Sequence, residues 1–229
     1  MPRLVIISDT HNQHAQLKIP EGDLLIHAGD FSGTGTLKQT VSFIDWLTAQ
    51  PHAHKIFIAG NHDLTLQAEL YERSWRRFHR ERADDAAIRD YIEQKERAGA
   101  LHYLRDREIT AAGLRIYGSP WQPEFYDWAF NLPRGPQIAQ IWSKIPARVD
   151  VLVTHGPPFG ILDRVASGER VGCEDLAREV LGRVRPRVHA FGHIHEGYGV
   201  VEREGIRFVN ASCCDLDYAP LQAPVVLDV

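Results

Sequence analysis

Polar residues that could bind a metal ion follow short apolar runs at five places in the chain. Carboxylates and imidazoles are common ligands of divalent cations, and amide oxygens can join them. One such group alone would fit a solvated turn, but five of them at the ends of apolar runs indicate a shared site. The residues are Asp9 and His11, then Asp30, then Asn61, His62 and Asp63, then His155, and last His193 and His195.

The spacing within two of these groups suits a metal ion. Residues i and i+2 of an extended chain point to the same side, so Asp9 and His11 could reach one ion, and so could His193 and His195. A carboxylate can bridge two ions about 3.5–4 Å apart, and Asp30 is the candidate bridge. Imidazoles and carboxylates without thiolates favour first-row ions such as Mn²⁺, Fe²⁺ or Zn²⁺.

The elements that would position these groups are those of an α/β fold. Continuous apolar runs indicate buried strands in RLVIISDTH, DLLIHAGD and KIFIAGNHD. Between the second and third runs, Leu37, Val41, Ile44 and Leu47 recur at helical spacing, which predicts a strand–helix–strand unit. Further strands are predicted at 114–119, 149–156, 187–193, 198–203, 206–212 and 223–229, with a hairpin turn at EREG.

Residues 67–98 are dense in charge, contain no Gly or Pro, and are followed by Gly99. They predict helices near 67–81 and 85–98. Acidic residues alternate with the arginines, so we interpret this segment as a solvated helical face and not as a nucleic-acid-binding arm. We predict a single domain over residues 1–229, with two packed sheets flanked by helices and a ligand site at the carboxyl ends of the strands.

Composition limits the classes of partner. The chain has 26 Lys and Arg against 30 Asp and Glu, a formal net charge of −4, so general binding to nucleic acids or anionic membranes is not expected. No apolar run approaches the ~20 residues that span a bilayer. Cys173, Cys213 and Cys214 form neither a disulfide framework nor a C-x-x-C zinc motif, so a cytoplasmic location is expected.

The motifs DTH, GD, GNHD, THGPP and GHIH resemble, in this order, the signature of the calcineurin-like metallophosphoesterase superfamily. The resemblance implies a metallophosphoesterase-type sandwich of two mixed β-sheets flanked by helices. It also implies two divalent ions, which would be Mn²⁺, Fe²⁺/Fe³⁺ or Zn²⁺. The first ion would be held by Asp9, His11 and His195, the second by Asn61, His155 and His193, and Asp30 would bridge them.

Two more roles follow from the resemblance. His62 would face the phosphate without binding metal, and Asp63 would orient or polarise His62. Within the superfamily, the segments 117–135, 154–158, 191–199 and 208–212 are similar to the metallophosphoesterase-domain (MPPED) subgroup. The stretch GDFSGTG lacks the arginine of serine/threonine protein phosphatases, and Gly33 stands where purple acid phosphatases have tyrosine.

The expected activity is that of a metal-dependent phosphohydrolase (EC 3.1), in which a metal-bridging hydroxide attacks phosphorus. We expect a phosphodiesterase that acts on small nucleotides, cyclic ones among them. The alternatives are a phosphomonoesterase, a nuclease or a nucleotide pyrophosphatase on the same centre, and a non-catalytic scaffold of the same fold. Candidate substrate-binding residues, which could equally pack beneath their loops, are Asn12, Trp121, Phe125, Trp128 and Phe159.

Overall fold

Two β-sheets packed face to face form the centre of the computed structural model, which describes residues 1–229. In chain order the strands are β1 (Arg3–Ile7), β2 (Leu24–His27), β3 (His54–Phe57), β4 (His102–Tyr103), β5 (Arg107–Ala111), β6 (Leu114–Ser119), β7 (Gln122–Pro123), β8 (Asn131–Leu132), β9 (Val151–Thr154), β10 (Val188–Phe191), β11 (Gly199–Arg203), β12 (Ile206–Asn210) and β13 (Val225–Asp228). The helices are α1 (Leu37–Thr48), α2 (Ala68–Phe78), α3 (Asp85–Arg97), α4 (Pro136–Trp142) and α5 (Glu174–Glu179).

Both large sheets are mixed. The first has the order β13-β1-β2-β3-β4, in which only β13 is antiparallel to its neighbour. The second has the order β11-β12-β10-β9-β6-β5, with antiparallel pairs at its two edges. Strands β7 and β8 form a small separate sheet. The predicted sandwich of two mixed sheets flanked by helices is confirmed.

The continuous apolar runs arise because each central strand is buried on both faces. In β1, Leu4 and Ile6 face the core between the sheets, whereas Val5 and Ile7 face the helices outside. Helices α1, α2 and α3 lie over the first sheet, and α4 and α5 lie over the second. The chain therefore forms a four-layer sandwich.

The predicted helices occur with small changes of boundary. Helix α1 begins at a capping box of Thr36 and Gln39 and buries Phe43, Ile44 and Leu47. Leu37, which we expected on the apolar face, is 39% exposed because it lies in the first turn, and Thr40 is buried instead. Helices α2 and α3 fall inside the predicted segments, whereas α4 and α5 were not anticipated.

The two sheets meet at the carboxyl ends of their central strands. Ser8, just after β1, forms a parallel bridge with Ser212, just after β12. The Ser8 carbonyl also accepts a hydrogen bond of 2.8 Å from the amide of Cys213. The loops that follow β1, β2, β3, β9 and β10 therefore converge on one edge of the sandwich.

Candidate metal centre

Three side chains from two loops form one half of the centre. The nearest ligand atoms of Asp9, His11 and His195 all lie within 4.8 Å of one another. The Nε2 atoms of His11 and His195 are 3.4 Å apart, and Nε2 of His195 is 3.7 Å from the Asp9 carboxylate. The loops after β1 and β10, one from each sheet, thus supply this half.

The other half joins the loops after β2, β3, β9 and β10. The ligand atoms of Asp30, His155 and His193 also lie within 4.8 Å of one another. Nε2 of His155 is 3.3 Å from Oδ2 of Asp30 and 3.0 Å from Oδ1 of Asn61. His193 and His195 therefore reach different halves, in the arrangement that the resemblance implies.

Asp30 lies between the halves. Its Oδ2 is 3.9 Å from Nε2 of His11 and 3.3 Å from Nε2 of His155. Its Oδ1 accepts a 2.7 Å hydrogen bond from the amide of His62. One carboxylate oxygen is thus held by the protein, while the other faces both groups of imidazoles, as a bridging ligand requires.

The backbone of these loops is in an uncommon conformation. The φ angles are +52° at Asp9, +40° at His11, +57° at Asp30 and +67° at His193, in the left-handed region. Non-glycine residues rarely adopt it, and such strain concentrates at functional sites. The extended geometry expected for Asp9–His11 is therefore replaced by a tight turn, and the backbone also turns at His193.

Glycines provide the space that the turns need. A Cβ atom added to Gly192 would lie 2.0 Å from Oδ2 of Asp9, and one added to Gly60 would lie 2.2 Å from Oδ1 of Asp30. Neither distance is possible between real atoms. The glycines in GHIH and GNHD are required because a carboxylate from a neighbouring loop lies against their backbone.

The buried carboxylates of Asp9 and Asp30 favour positive charge in the centre. Burial opposes the imidazolium form of His155, but Asp30, Asp9 and the carbonyl of Ala28 together raise the pKa of His155 to about 9. Burial also opposes the charged form of His195, but the hydrogen bond and the charge of Asp9 help to raise the pKa of His195 to about 9. Burial would favour a neutral Asp9, yet the hydrogen bond with His195 and the charge of His155 lower its pKa.

The two remaining imidazoles are neutral. Burial lowers the pKa of His11 to about 4 and that of His193 to about 3. Neutral imidazole is the form that binds metal. The donor set therefore fits divalent cations: the Nε2 atoms of His11 and His195 lie 3.4 Å apart, and carboxylates lie beside both halves. Asp9, His11 and His195 would hold one cation, and Asn61, His155 and His193 the other, with Asp30 shared.

His62 is oriented by groups other than the predicted one. Its Nδ1 lies 2.9 Å from the carbonyl of Gly33, which can only accept, so Nδ1 carries a proton. Its ring packs on Trp128, with centroids 4.2 Å apart. A possible metal-binding atom of His62 lies within 4.8 Å of those of His11 and Asp30, so the ring lies directly beside the centre.

The role predicted for Asp63 is corrected. Its buried carboxylate accepts hydrogen bonds from the amides of Asp30, Ser32 and Gly60 and from the hydroxyl of Ser32, and it makes none to the His62 ring. Burial and the nearby charge of Asp30 raise the pKa of Asp63 to about 7. Asp63 therefore organises the loops around Asp30 and does not orient His62.

A cavity of about 350 Å³ opens on the two groups of ligands. Phe125 and Tyr218 form part of its wall and are 48% and 46% exposed. The Phe125 ring is 5.4 Å from His193, and the Tyr218 ring is 4.6 Å from His11. Arg134 also lines the cavity, but it bonds to Glu174 and to backbone carbonyls.

Four of the five candidate substrate-binding residues lie outside this wall. Trp121 donates to Asp106 and packs on Phe130, since its loop folds onto the helical layer. Phe159 is 39% exposed but does not line the cavity. Asn12 points to solvent near Gly33, because its own backbone turns with φ of +67°. Trp128 acts on the centre through His62, and Phe125 lines the cavity directly.

Several supporting residues escaped the sequence reasoning. Gln122 donates to Oδ1 of Asn61, Ser212 donates to Asp9, and the carbonyl of Asp215 lies 2.8 Å from Nδ1 of His195. Tyr218 follows Asp215 in the same loop. Their segments resemble ordinary polar loops, so only the fold reveals that they support the ligands.

Comparisons with known proteins agree with this geometry. The family model for calcineurin-like phosphoesterases matches residues 2–197. The chain belongs to that family. It is a metal-dependent phosphoesterase, and the sequence resemblance is confirmed.

Similar proteins occur in animals. The chain is 45% identical to Metallophosphoesterase domain-containing protein 1 of Homo sapiens over 232 residues, which cover 99% of this chain and 71% of the human protein. The Mus musculus protein of the same name gives the same values. A UPF0046 protein of Caenorhabditis elegans is 37% identical over 99% of this chain and 60% of its own length.

One solved crystal structure superposes with a TM-score of 0.65 at 14% identity and covers 92% of this chain and 90% of its own. That likeness supports the fold alone. None of the helices combines the length and the apolar character that crossing a membrane requires.

Proposed function

We propose that this phosphoesterase is a phosphodiesterase that uses two divalent cations and acts on small nucleotides, cyclic nucleotides among them. The observation that carries the proposal is a small cavity that opens on both ligand groups and offers no free cationic side chain to a substrate. Arg134 is the only Lys or Arg in its wall, and its guanidinium is bonded to Glu174.

The charge of the site favours diesters. Two divalent cations set against the carboxylates of Asp9 and Asp30 leave a small excess of positive charge. A diester carries one negative charge per phosphate, whereas a monoester carries nearly two at neutral pH. Glu124 and Glu196 add negative charge to the cavity wall. A dianionic monoester would have no further cation in the wall to balance it.

The cations themselves would supply Lewis acidity, a more acidic water and charge neutralisation on the phosphate. The imidazole and carboxylate donors suit Mn²⁺, iron or Zn²⁺. Residues of the chain perform the rest of the chemistry. Asp30 keeps the two halves together, and Gln122 and Ser212 fix the orientations of Asn61 and Asp9.

His62 is the candidate general acid. Its Nδ1–H bond to the Gly33 carbonyl and its packing on Trp128 hold the ring beside the ligands. In the imidazolium form, its second nitrogen can donate a proton to the leaving oxygen of the ester. A positioned imidazole of this kind contributes about 10²–10⁴-fold to the rate.

The aromatic wall favours a nucleobase in the remainder of the substrate. Phe125 and Tyr218 expose about half of their surface beside different halves of the centre. Exposed aromatic rings next to a phosphate site can stack on a base. The cavity volume, near the lower end for small-ligand sites, suits a mononucleotide more than a polymer.

A nuclease is the second candidate on the same centre. It would require a cationic path for a polyanionic strand, and the cavity wall contains two glutamates and one ion-paired arginine. A nucleotide pyrophosphatase would meet the same difficulty. A non-catalytic scaffold is disfavoured because every ligand of the family motif is present in this chain.

The three cysteines are free and buried, which suits a reducing compartment. We therefore extend the proposal to a cytoplasmic location. It also includes a small phosphoester as the substrate and no binding to membranes or nucleic acids.

The test is a substrate panel with the metal-loaded protein. The panel contains a bis-aryl phosphodiester, an aryl phosphomonoester, 2′,3′- and 3′,5′-cyclic nucleotides, and single-stranded oligonucleotides. We expect kcat/KM for the diesters to exceed that for the monoester at least tenfold. Hydrolysis of the monoester alone would contradict the diester proposal, and cleavage of single-stranded oligonucleotides ahead of cyclic nucleotides would favour the nuclease.

A further inference from the structure

Two buried histidines that are not ligands lie beneath the metal centre, one in each sheet. His27 is the last residue of β2, and His189 is the second residue of β10. Neither has any solvent exposure. Each faces the helical layer outside its own sheet. His27 packs against Phe31 and Phe43, and His189 packs against Phe191 and Phe208.

The hydrogen bonds of His27 determine its tautomer. Its Nδ1 accepts the amide proton of Gly29 at 3.2 Å. Nδ1 therefore carries no proton, and Nε2 must carry it, because a neutral imidazole has one donor and one acceptor. Nε2 then donates to Oγ1 of Thr10, 2.9 Å away. His27 thus joins the loop that bears Asp9 and His11 to the loop that bears Asp30.

His189 makes the corresponding contact in the second sheet. Oγ1 of Thr154 lies 2.9 Å from the carbonyl of Gly156 and 2.8 Å from Nε2 of His189. The single hydroxyl proton must go to the carbonyl, which can only accept. Nε2 of His189 therefore donates to the hydroxyl, and the pair holds the turn on both sides of His155.

The two pairs occupy equivalent places in the two sheets. Thr10 directly precedes His11, and Thr154 directly precedes His155. Thr10 also lies between Asp9 and His11, whose φ angles of +52° and +40° are strained. Strained turns persist only where surrounding contacts over-determine them. A buried hydrogen bond at the residue between two strained ligands is such a contact.

We propose that His27 and His189 are positioning residues that set the affinity of the centre for its cations, through Thr10 and Thr154. The inference rests on the two-cation part of the proposed function and not on the identity of the substrate. His27 acts on ligands of both halves, since Asp9 and His11 belong to one half and Asp30 is shared. His189 acts on the half that contains His155.

The test measures cation affinity directly, by calorimetric titration of the metal-free protein with Mn²⁺. We expect His27→Leu to weaken binding of both ions by about 10–100-fold, the usual effect of removing a partner that orients a ligand. His189→Leu should weaken one ion by a similar factor and leave the other within a small factor of wild type. His27→Gln keeps an amide donor for Thr10 and should recover most of the affinity.

His52 offers a matched control. It is also buried, and it makes one hydrogen bond of 3.0 Å, to the carbonyl of Pro20. It precedes β3, at the end of the sheet opposite to the ligand loops. His52→Leu should lose stability, because it also removes a buried histidine. Its affinity for Mn²⁺ should nevertheless equal that of the wild type.

The isosteric variants Thr10→Val and Thr154→Val keep the proposal testable if a leucine variant fails to fold. Each should reproduce the affinity loss of its histidine partner, and the double variant His27→Leu/Thr10→Val should lose no more than one change alone. Wild-type affinity in His27→Leu and His189→Leu would overturn the proposal, and so would an equal loss in His52→Leu. A wild type that binds two Mn²⁺ but hydrolyses no diester would refute the proposed function and leave this inference standing.

Discussion

The carboxylate of Asp63 accepts hydrogen bonds from three residues of the loops around Asp30. Both oxygens are used, two donors to each. An asparagine at this position offers one acceptor oxygen and turns an NH₂ group toward the other pair of donors. We therefore expect Asp63→Asn to lower the free energy of unfolding by about 2–3 kcal/mol, the scale for unsatisfied buried groups. Urea denaturation measures this change.

Asp84→Asn is the control for that variant. Asp84 caps α3 by accepting from the amide of Ala87, and asparagine caps helices about as well as aspartate. Its stability should stay within about 0.5 kcal/mol of wild type. An Asp63→Asn variant as stable as Asp84→Asn would show that the hydrogen bonds around Asp30 are dispensable.

His62 provides the second prediction at this scale. Because we assign it to proton transfer and not to metal binding, His62→Ala should lower kcat about 10²–10⁴-fold while two cations stay bound. Metal analysis and turnover on one diester test both parts. His79→Ala, which alters a histidine at the end of α2, should keep normal turnover. Loss of a cation in His62→Ala would assign His62 to the ligands instead.

At the scale of elements, the carboxyl end of β10 lies directly against the loop after β1. The backbone of Gly192 leaves no room for a Cβ atom beside Oδ2 of Asp9. Gly192→Ala must therefore push the two loops apart and separate His193 and His195 from Asp9. We expect it to bind fewer than two cations per chain, as measured by metal analysis after gel filtration.

Gly182→Ala is a matched substitution in the turn after α5, where an added Cβ would meet nothing within 4 Å. It should bind both cations and be as stable as wild type or slightly more so, since alanine reduces the entropy of the unfolded chain. Full metal content in Gly192→Ala would contradict the close contact between the loops.

The same elements show where sequence reasoning succeeds and where it stops. Apolar runs predicted the central strands because both faces of those strands are buried, and the parallel order brought their carboxyl ends together. The backbone of the ligand loops was not predictable, because a positive φ at Asp9, Asp30 or His193 depends on contacts with other loops. Asp63 was given the wrong partner for the same reason.

At the scale of the whole molecule, His189 links stability to pH. Burial lowers its pKa to about 3 in the folded chain, against 6.5 for an unperturbed histidine. The unfolded chain therefore binds a proton that the folded chain does not as pH falls below 6.5. The stability that neutral His189 contributes is fully present above pH 6.5 and is lost as pH falls toward 3, by about 1.4 kcal/mol per pH unit.

Urea denaturation of the metal-free protein at several pH values tests this linkage. The free energy of unfolding of His189→Leu should fall less steeply between pH 6 and 4 than that of wild type, by about 1.4 kcal/mol per pH unit. Parallel pH profiles for the two proteins would mean that His189 is protonated in the folded chain.

Residues that are far apart in the chain come together at the cavity only in the folded protein. The sequence alone therefore could not show which of them face a substrate. The family motif contains every candidate ligand, whereas Tyr218 enters the cavity from a loop near the C-terminus that has no motif of its own. Trp121 and Phe159 had similar sequence surroundings to Phe125, yet only Phe125 lines the cavity. Candidate ligands could be inferred from residue type, but the residues of the cavity wall required the fold.

Our main proposal is that turnover needs two cations, held by ligands of both sheets. Its most direct test is to titrate the metal-free protein with Mn²⁺ and record diester hydrolysis at each addition. We expect little activity up to one equivalent of Mn²⁺ per chain, and a rise to a plateau at two equivalents. Full activity at one equivalent, or activity in the metal-free protein, would contradict it.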